Sequence, residues 1–401
     1  MGKFKGVCIL TGAFYPEISG GGGVQAQTLI RALDKQFSFY VITTCRDYSL
    51  PKEGLIEGVP VFRVMLKLGN AYSLIRSFFS FIGIFMKLEK KVDILHLQGF
   101  STKAIIFIVL GKIFKKKIIQ TMQLLGDDDP LSIRNNRFGK VLLFFFSKSD
   151  VFVSLSPAIT QSFLKSPLSN RKLLTIPNGV DVEKFSPLDD NNIKQELRKS
   201  LGLPESNIII LFIGVFALHK GANLLLEAWK KIRDSQSRGV SIIFIGSTDP
   251  THFAVSSNLV NKFNLTIAES NMNNEIFLIE KTLEIEKYYR ASDIFVLASR
   301  REGLPNVLLE AMSCGLGCIA TRIRGITDYV ISDKKDGLLF EMDNSDDLSL
   351  KLNELLHNEK LIHEVGNNAR KAIINNFSIQ TISKENARLY NELTQVNEYN
   401  S

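Results

Sequence analysis

The chain has 401 residues, 45% of them hydrophobic and 22% charged, with a formal net charge of +8. That length allows two domains with full cores, and the composition is ordinary for a soluble globular protein. The positive balance calls for an anionic partner, but no RNA-binding signature, zinc-type Cys/His spacing or base-reading basic helix is present, so no nucleic acid partner is expected.

Residues Met1–Phe4 lead straight into an apolar strand, Gly6–Thr11, without a signal-peptide pattern. The four cysteines, Cys8, Cys45, Cys314 and Cys318, form no disulfide framework. Both features lead us to expect a cytoplasmic location. The longest apolar runs, Ser77–Met86 and Ala104–Gly111, fall short of the roughly 20 residues of a spanning helix.

Short apolar runs then alternate with helical patterns to the end of the chain. Strands are expected at Phe37–Thr44, Val59–Leu66, Asp93–Leu97, Lys117–Leu124, Val151–Ser156 and Leu173–Ile176. After the turn signals of Asn178–Ser186 come Ile208–Phe216, Val240–Gly246, Glu275–Ile279, Asp293–Ala298, Gly317–Thr321 and Gly337–Phe340. Strands separated by helices predict parallel sheets covered on both faces, and the pattern occurs twice. The expected divisions are a first Rossmann-like domain over 1–182, a second over 183–375 and a helical tail over 376–401 that returns to the first.

The first strand ends in TGAFYPEISGGGGVQ, where Gly20–Gly23 read as a flexible loop before a helix Val24–Gln36. Such a run lets backbone approach a phosphate or sugar. It is no dinucleotide fingerprint, because the third glycine position is Gln25. His96 and Gln98 close the fourth strand, and a lone histidine there is read as structural. Asp127–Asp129 precede Pro130 and read as a turn or helix-start cluster, with no metal expected. Three segments, Ser73–Lys91, Lys103–Lys117 and Arg137–Lys148, are rich in Phe and flanked by base. They fit core helices, or core helices that also touch an anionic membrane through Lys112 and Lys115–Lys117 beside Phe114.

In the second half, Lys220 follows the first strand and precedes a helix, where a lysine can meet a diphosphate as a point charge. Glu302 and Glu310 bracket a helix start in Arg301-Glu-Gly-Leu-Pro-Asn-Val-Leu-Leu-Glu310. Pro305 is expected at the first helical position. The free amides of the first turn suit an anion, and carboxylates on either side can accept from hydroxyls. Sugar, diphosphate and ribose share that layout. The segment follows a buried strand, at the end where open α/β sheets bind ligands.

Taken together, these motifs resemble the retaining glycosyltransferases of family 4, with the GT-B fold. The resemblance covers most of the chain: the glycine segment, IPNGVD, GVFALHKG, YYRASDIFVLAS, REGLPNVLLEAMSCGLGCIAT, GITDYV and DGLLF. It implies an α/β protein of two Rossmann-like, doubly wound parallel-sheet domains facing each other across a cleft. It implies transfer of a hexose-type sugar from a nucleotide donor, UDP by preference, to a glycan or lipid-linked acceptor, with no cofactor or obligatory metal. Lys220 and Glu302 would be catalytic. Gly22, Gly23, Gly214, Lys220, Glu302, Gly303, Leu304, Pro305 and Glu310 would bind the donor, with Glu302 on the sugar and Glu310 on the ribose. His96, Gln98 and Gln123 would lie on the acceptor side.

Four positions depart from the family pattern. Val215 replaces an arginine, Gln25 a glutamate, and Gln98 and Gln123 histidines. Val215 weakens the phosphate clamp unless Arg300 or Arg301 reaches in. Rival readings are a UDP-sugar epimerase or hydrolase on this fold, and a weakly catalytic partner protein. The basic, Phe-rich surfaces favour a membrane-bound acceptor, as in capsular or lipopolysaccharide assembly, with peripheral contact on the inner face of the membrane.

Overall fold

The computed structural model describes residues 5–17, 20–67, 70–188, 190–250 and 254–395. The expected leaderless start at Met1–Phe4, Ile18 and Ser19 of the glycine segment, Asp189 of the polar linker, and residues 396–401 of the tail lie outside them. The chain divides into two compact units, Met1–Gly179 with Ile379–Ser401, and Val180–Ser378. The sequence put the changes at 182 and 375. The second unit is instead closed by a bridge between Val180 and Ser378, with Val180 N–H donating to Phe377 O at 2.9 Å.

Among the described residues, the first unit carries β1 (Gly6–Thr11), β2 (Ser38–Cys45), β3 (Glu53–Ile56), β4 (Val59–Met65), β5 (Ile94–Gln98), β6 (Lys117–Met122), β7 (Val151–Ser154) and β8 (Leu173–Thr175). They form one sheet in the order β3-β4-β2-β1-β5-β6-β7-β8. All neighbours are parallel except β3 and β4. The sequence reading missed β3. It pairs with β4 through a two-residue turn, Glu57-Gly58, both at positive φ, as a primed hairpin turn requires. Glutamate at the first turn position hides the usual Asn-Gly signal.

In the second unit β9 (Ile208–Ile213), β10 (Val240–Ile245), β11 (Ile276–Ile279), β12 (Ile294–Leu297), β13 (Gly317–Thr321) and β14 (Leu338–Phe340) form a parallel sheet in the order β11-β10-β9-β12-β13-β14. Its central strands read as unbroken apolar runs, IIILFI and IFVL, because helices cover both faces. Phe212, Phe244, Trp229 and Leu225 are core residues here.

Two layers pack on the first sheet. Helices Gly21–Leu33 and Ile379–Gln395 share one face, where Tyr390, Phe37 and Leu29 are buried together. Helices Ala71–Leu88 and Thr102–Ile113 cover the other with Phe81, Phe85 and Phe107, and helix Gly139–Phe146 packs beside the second of them. Strand order reverses direction between β1 and β5 in the first unit and between β9 and β12 in the second. Ligands of open α/β sheets bind at such switch points, outside the C-terminal ends of the strands.

Candidate active site

In the second unit the loops after β9 and β12 flank the switch point. The first makes a single 3-10 turn, Leu218–Lys220, and ends at Gly221. Gly221 has φ +78°, and a Cβ there would collide with the Ala298 carbonyl at the end of β12. Glycine is therefore required twice over, by backbone conformation and by close approach. The two loops are further tied by Arg300 N–H donating to His219 O at 2.8 Å.

This packing brings Lys220 to Glu302. The lysine Nζ donates to Glu302 Oε1 at 2.6 Å, with the two side chains 26% and 11% exposed. Gly214 abuts the stem of Lys220. The two residues expected to grip opposite parts of one ligand thus pair with each other. His219, beside them, is held below the usual histidine range by burial and by the Lys220 charge.

Glu302, Gly303, Leu304 and Pro305 are all buried. Pro305 stands one position before the helix rather than inside it: it is the N-cap of helix Asn306–Ser313. Glu310 lies inside that helix and is only 8% exposed. Its Oε2 accepts from the Tyr289 hydroxyl at 2.8 Å, and the same hydroxyl reaches Val307 O at 3.2 Å. Burial pushes the Glu310 carboxyl up from 4.5 to about 7, against the pull of Tyr289 and of the Lys184 cation. Among the described residues no cation lies within ion-pair distance of this carboxyl.

Of the two arginines named for the place of Val215's missing cation, Arg300 pairs with Asp343 at 2.5 Å. Arg301 is exposed and has no ion-pair partner among the described residues.

In the first unit the glycine run is not a loop. Gly21–Gly23 form the first turn of helix Gly21–Leu33, and Gly20, at φ +93°, precedes it. A Cβ at Gly23 would strike the Ala13 carbonyl, so the helix starts against the end of β1. A Cβ at Gly22 would meet Gln123 and Thr11 at ordinary contact distance. Gln123 Nε2 donates to Gln98 Oε1, and Gln98 Nε2 lies 3.3 Å from His96 Nε2. His96 itself is 2% exposed, spanning Tyr390 Oη at 2.7 Å and Thr121 Oγ1 at 2.8 Å. Burial pushes it down to about 4, so it is neutral at physiological pH. His96 therefore braces Gln98 from below, while Gln98 and Gln123 present the amide edge.

Sequence reasoning missed Lys103. It stands at the start of helix Thr102–Ile113 and donates to Thr11 O at 3.0 Å and Thr44 Oγ1 at 3.4 Å, at the ends of β1 and β2. Burial, and the charge of Arg46, lower it to about 8. Among the described residues no carboxylate pairs with it. Of Asp127–Asp129, the first two lie in a turn and the third starts a helix. Asp129 caps helix Pro130–Arg134, and Asp128 accepts from the Gln123, Leu124 and Phe100 amides. Tyr289 and Tyr390 were also missed as partners of Glu310 and His96; buried tyrosines usually have such a partner for the hydroxyl.

Two family models together span this architecture. Residues 19–184 match Glycosyltransferase Family 4, and residues 193–372 match Glycosyl transferases group 1. The chain is a GT-B glycosyltransferase of the family 4 type. It is 26% identical over 378 residues to a UDP-Gal:alpha-D-GlcNAc-diphosphoundecaprenol alpha-1,3-galactosyltransferase of Escherichia coli, covering 91% of each chain. To the capsular polysaccharide biosynthesis glycosyltransferase CapM of Staphylococcus aureus it is 26% identical over 258 residues, 63% of this chain and 64% of that one. Anabaena HepE, solved in complex with UDP and glucose, superposes with a TM-score of 0.77 at 15% identity, covering 96% of this chain and 99% of that one. Among the described residues no helix of this glycosyltransferase is long and apolar enough to cross a membrane.

Proposed function

We propose that this glycosyltransferase moves a hexose from a UDP donor, with retention and without a metal, to a lipid-linked glycan acceptor of envelope or capsule polysaccharide. The observation that carries the reading is the Lys220–Glu302 pair beside buried Glu310 at one switch point. The relatives named above, one acting on a diphosphoundecaprenol-linked sugar and one in capsule biosynthesis, support the acceptor class.

In this mechanism Glu310 receives the ribose hydroxyls and Lys220 the diphosphate. The amides at the start of helix Asn306–Ser313 add to the positive field. Released from Lys220, Glu302 accepts from hydroxyls of the donor sugar. The bond between the anomeric carbon and the phosphate oxygen breaks, and the acceptor oxygen bonds to that carbon on the same face. The acceptor proton passes to the departing phosphate oxygen, so UDP leaves carrying it and no protein nucleophile is needed. Lys220 stabilises the charge that develops on the leaving group. On the first unit, Gln98, Gln123 and Gly22 form a neutral amide edge for acceptor hydroxyls, with Lys103 as the cation beside it.

The test measures UDP release from UDP-hexoses with and without a diphospholipid-linked sugar, in chelator, and the anomeric configuration of the product by NMR. Acceptor-dependent release with a retained anomer is expected. Release without acceptor would favour the hydrolase or epimerase reading. An inverted product, or activity abolished by chelator, would overturn the mechanism.

A further inference from the structure

The helix layer over one face of the first sheet has an outer surface that sugar transfer does not explain. Helix Ala71–Leu88 is largely apolar, with Ser73, Arg76, Ser77, Ser80 and Lys87 as its polar members. Phe81, Phe85 and Leu88 face the sheet and are buried, while Tyr72, Ile75 and Phe79 are 74%, 59% and 65% exposed. Its neighbour, Thr102–Ile113, ends in Ile113, 65% exposed. The third helix, Gly139–Phe146, shows Phe138 at its N-cap and Phe144 on its outer side, 63% and 56% exposed. Large apolar side chains exposed on three neighbouring helices of one layer point to an interaction site.

The charges on the layer have one sign. None of the three helices contains Asp or Glu. Three carboxylates at their margins are paired: Glu53 with Lys87 at 2.6 Å, Asp150 with Lys112 at 2.6 Å, and Glu89 with Lys116 at 3.3 Å. Arg76, Arg137, Lys140 and Lys148 are exposed and have no carboxylate partner among the described residues. Two of them lie over exposed rings, Arg137 at 5.5 Å from the Phe138 centroid and Lys148 at 4.4 Å from that of Phe144. Of the four lysines singled out in the sequence, Lys112 and Lys116 pair with carboxylates, while Lys115 is exposed and has no ion-pair partner among the described residues.

We infer that this three-helix layer docks the protein on an anionic lipid bilayer, with Ile75, Phe79, Phe138 and Phe144 entering the interface and Arg76, Arg137, Lys140 and Lys148 at the headgroups. Aromatic and aliphatic tips ringed by unpaired cations match that surface. A second copy is a poor occupant, because a two-fold contact would set these cations against their own kind. The inference goes beyond the sugar-transfer reading and is independent of it, since donor binding can fail while lipid docking stands.

The experiment is co-sedimentation of the full chain with phosphatidylcholine vesicles, with and without phosphatidylglycerol, at low and high salt. Three variants are compared: F79S/F138S/F144S, R76Q/R137Q/K140Q/K148Q, and K112Q/K116Q as the control. UDP affinity, expected to be unchanged in all three, checks that they fold. Wild type should sediment with the anionic vesicles and be released by salt. The first two variants should bind roughly tenfold more weakly or worse, and the control like wild type. Absence of wild-type binding, or wild-type-like sedimentation of the aromatic and four-cation variants, would overturn the inference. So would concentration-dependent self-association, seen by light scattering and lost in the aromatic variant, without vesicle binding.

Discussion

At the switch point of the first sheet, the segments after β1, β5 and β6 gather Gly22, Gln98 and Gln123, braced by a neutral His96, with one lysine, Lys103, that has no counter-ion among the described residues. At the switch point of the second, the loops after β9 and β12 gather Lys220, Glu302 and Glu310, a cation already paired and a carboxylate held up near pH 7. The same α/β frame thus offers amides on one sheet and charges on the other. Amides suit hydroxyls whose positions vary between glycans. Paired charges suit a diphosphate, whose binding and departure both demand a field. On the proposed reading the first unit takes the acceptor and the second the donor, and each half can be broken separately.

The largest effect is expected at Lys220. Lys220→Ala should lower turnover by about 10²–10³, the scale of losing one transition-state charge stabiliser. Acceptor KM should stay near wild type, measured by UDP release at saturating donor. If turnover survives, another cation serves the leaving group. Arg301 is then the candidate, because Arg300 is held by Asp343. Val215→Arg tests the same point from the other side: rescue of Lys220→Ala would show that the site still admits the arginine the family usually carries.

Glu310 comes next. Glu310→Ala should weaken UDP binding by the roughly 1.5–3 kcal/mol of hydrogen bonds to a charged group; wild-type affinity would sink the ribose assignment. Its pH behaviour follows from its carboxyl being raised in the folded protein, from 4.5 to about 7. Between those values the folded state holds a proton that the unfolded state has lost, so stability falls as pH rises through this window. Glu310→Gln should therefore be more stable than wild type above pH 7, by up to about 3 kcal/mol, with the difference shrinking towards pH 4.5. Urea unfolding of both proteins across that range is the measurement. Binding should behave oppositely. If ribose hydroxyls require the carboxylate, UDP affinity should rise with pH through about 7 in wild type, and this rise should be absent in Glu310→Gln.

Much of the donor half is legible in the amino-acid sequence. Glu302, Glu310 and Lys220 are marked by a Gly-Leu-Pro turn, an apolar strand before it and a glycine after the lysine, all local signals. What the residues do not disclose is contact across the sheet. That Lys220 and Glu302 pair depends on Gly221 fitting against Ala298, far along the chain. The first unit is harder to read. Its glycine run looks like a loop because glycine is a poor helix former, yet Gly23 is required by the close approach of the helix start to β1. Lys103 looks like one of many basic residues flanking a Phe-rich segment; only the strand order brings it to the ends of β1 and β2.

That missed lysine sharpens the acceptor half. Lys103→Met should raise the KM for a diphosphate-linked acceptor by about tenfold, the worth of one hydrogen bond to a charged group at its lower limit. UDP affinity should not change. Since burial lowers Lys103 to about 8, the wild-type advantage should fade as pH rises above that value. Equal loss with a neutral sugar acceptor would mean that Lys103 only props the ends of β1 and β2.

The smallest effect belongs to Tyr289, which no ligand need touch. Its hydroxyl donates to Glu310 at 2.8 Å and is one of the forces holding the carboxyl down against burial. Tyr289→Phe removes that donor with little change of shape, at a cost of about 1 kcal/mol in stability. The carboxyl should then titrate higher, so the pH at which UDP affinity rises should move in the alkaline direction. Turnover at saturating donor and high pH should stay close to wild type, because the ionised Glu310 is unchanged in position. A purely packing role for Tyr289 would lower stability and leave the midpoint where it was. A moved midpoint with intact turnover would show that the second unit tunes its ribose carboxylate from behind, as His96 steadies Gln98 in the first.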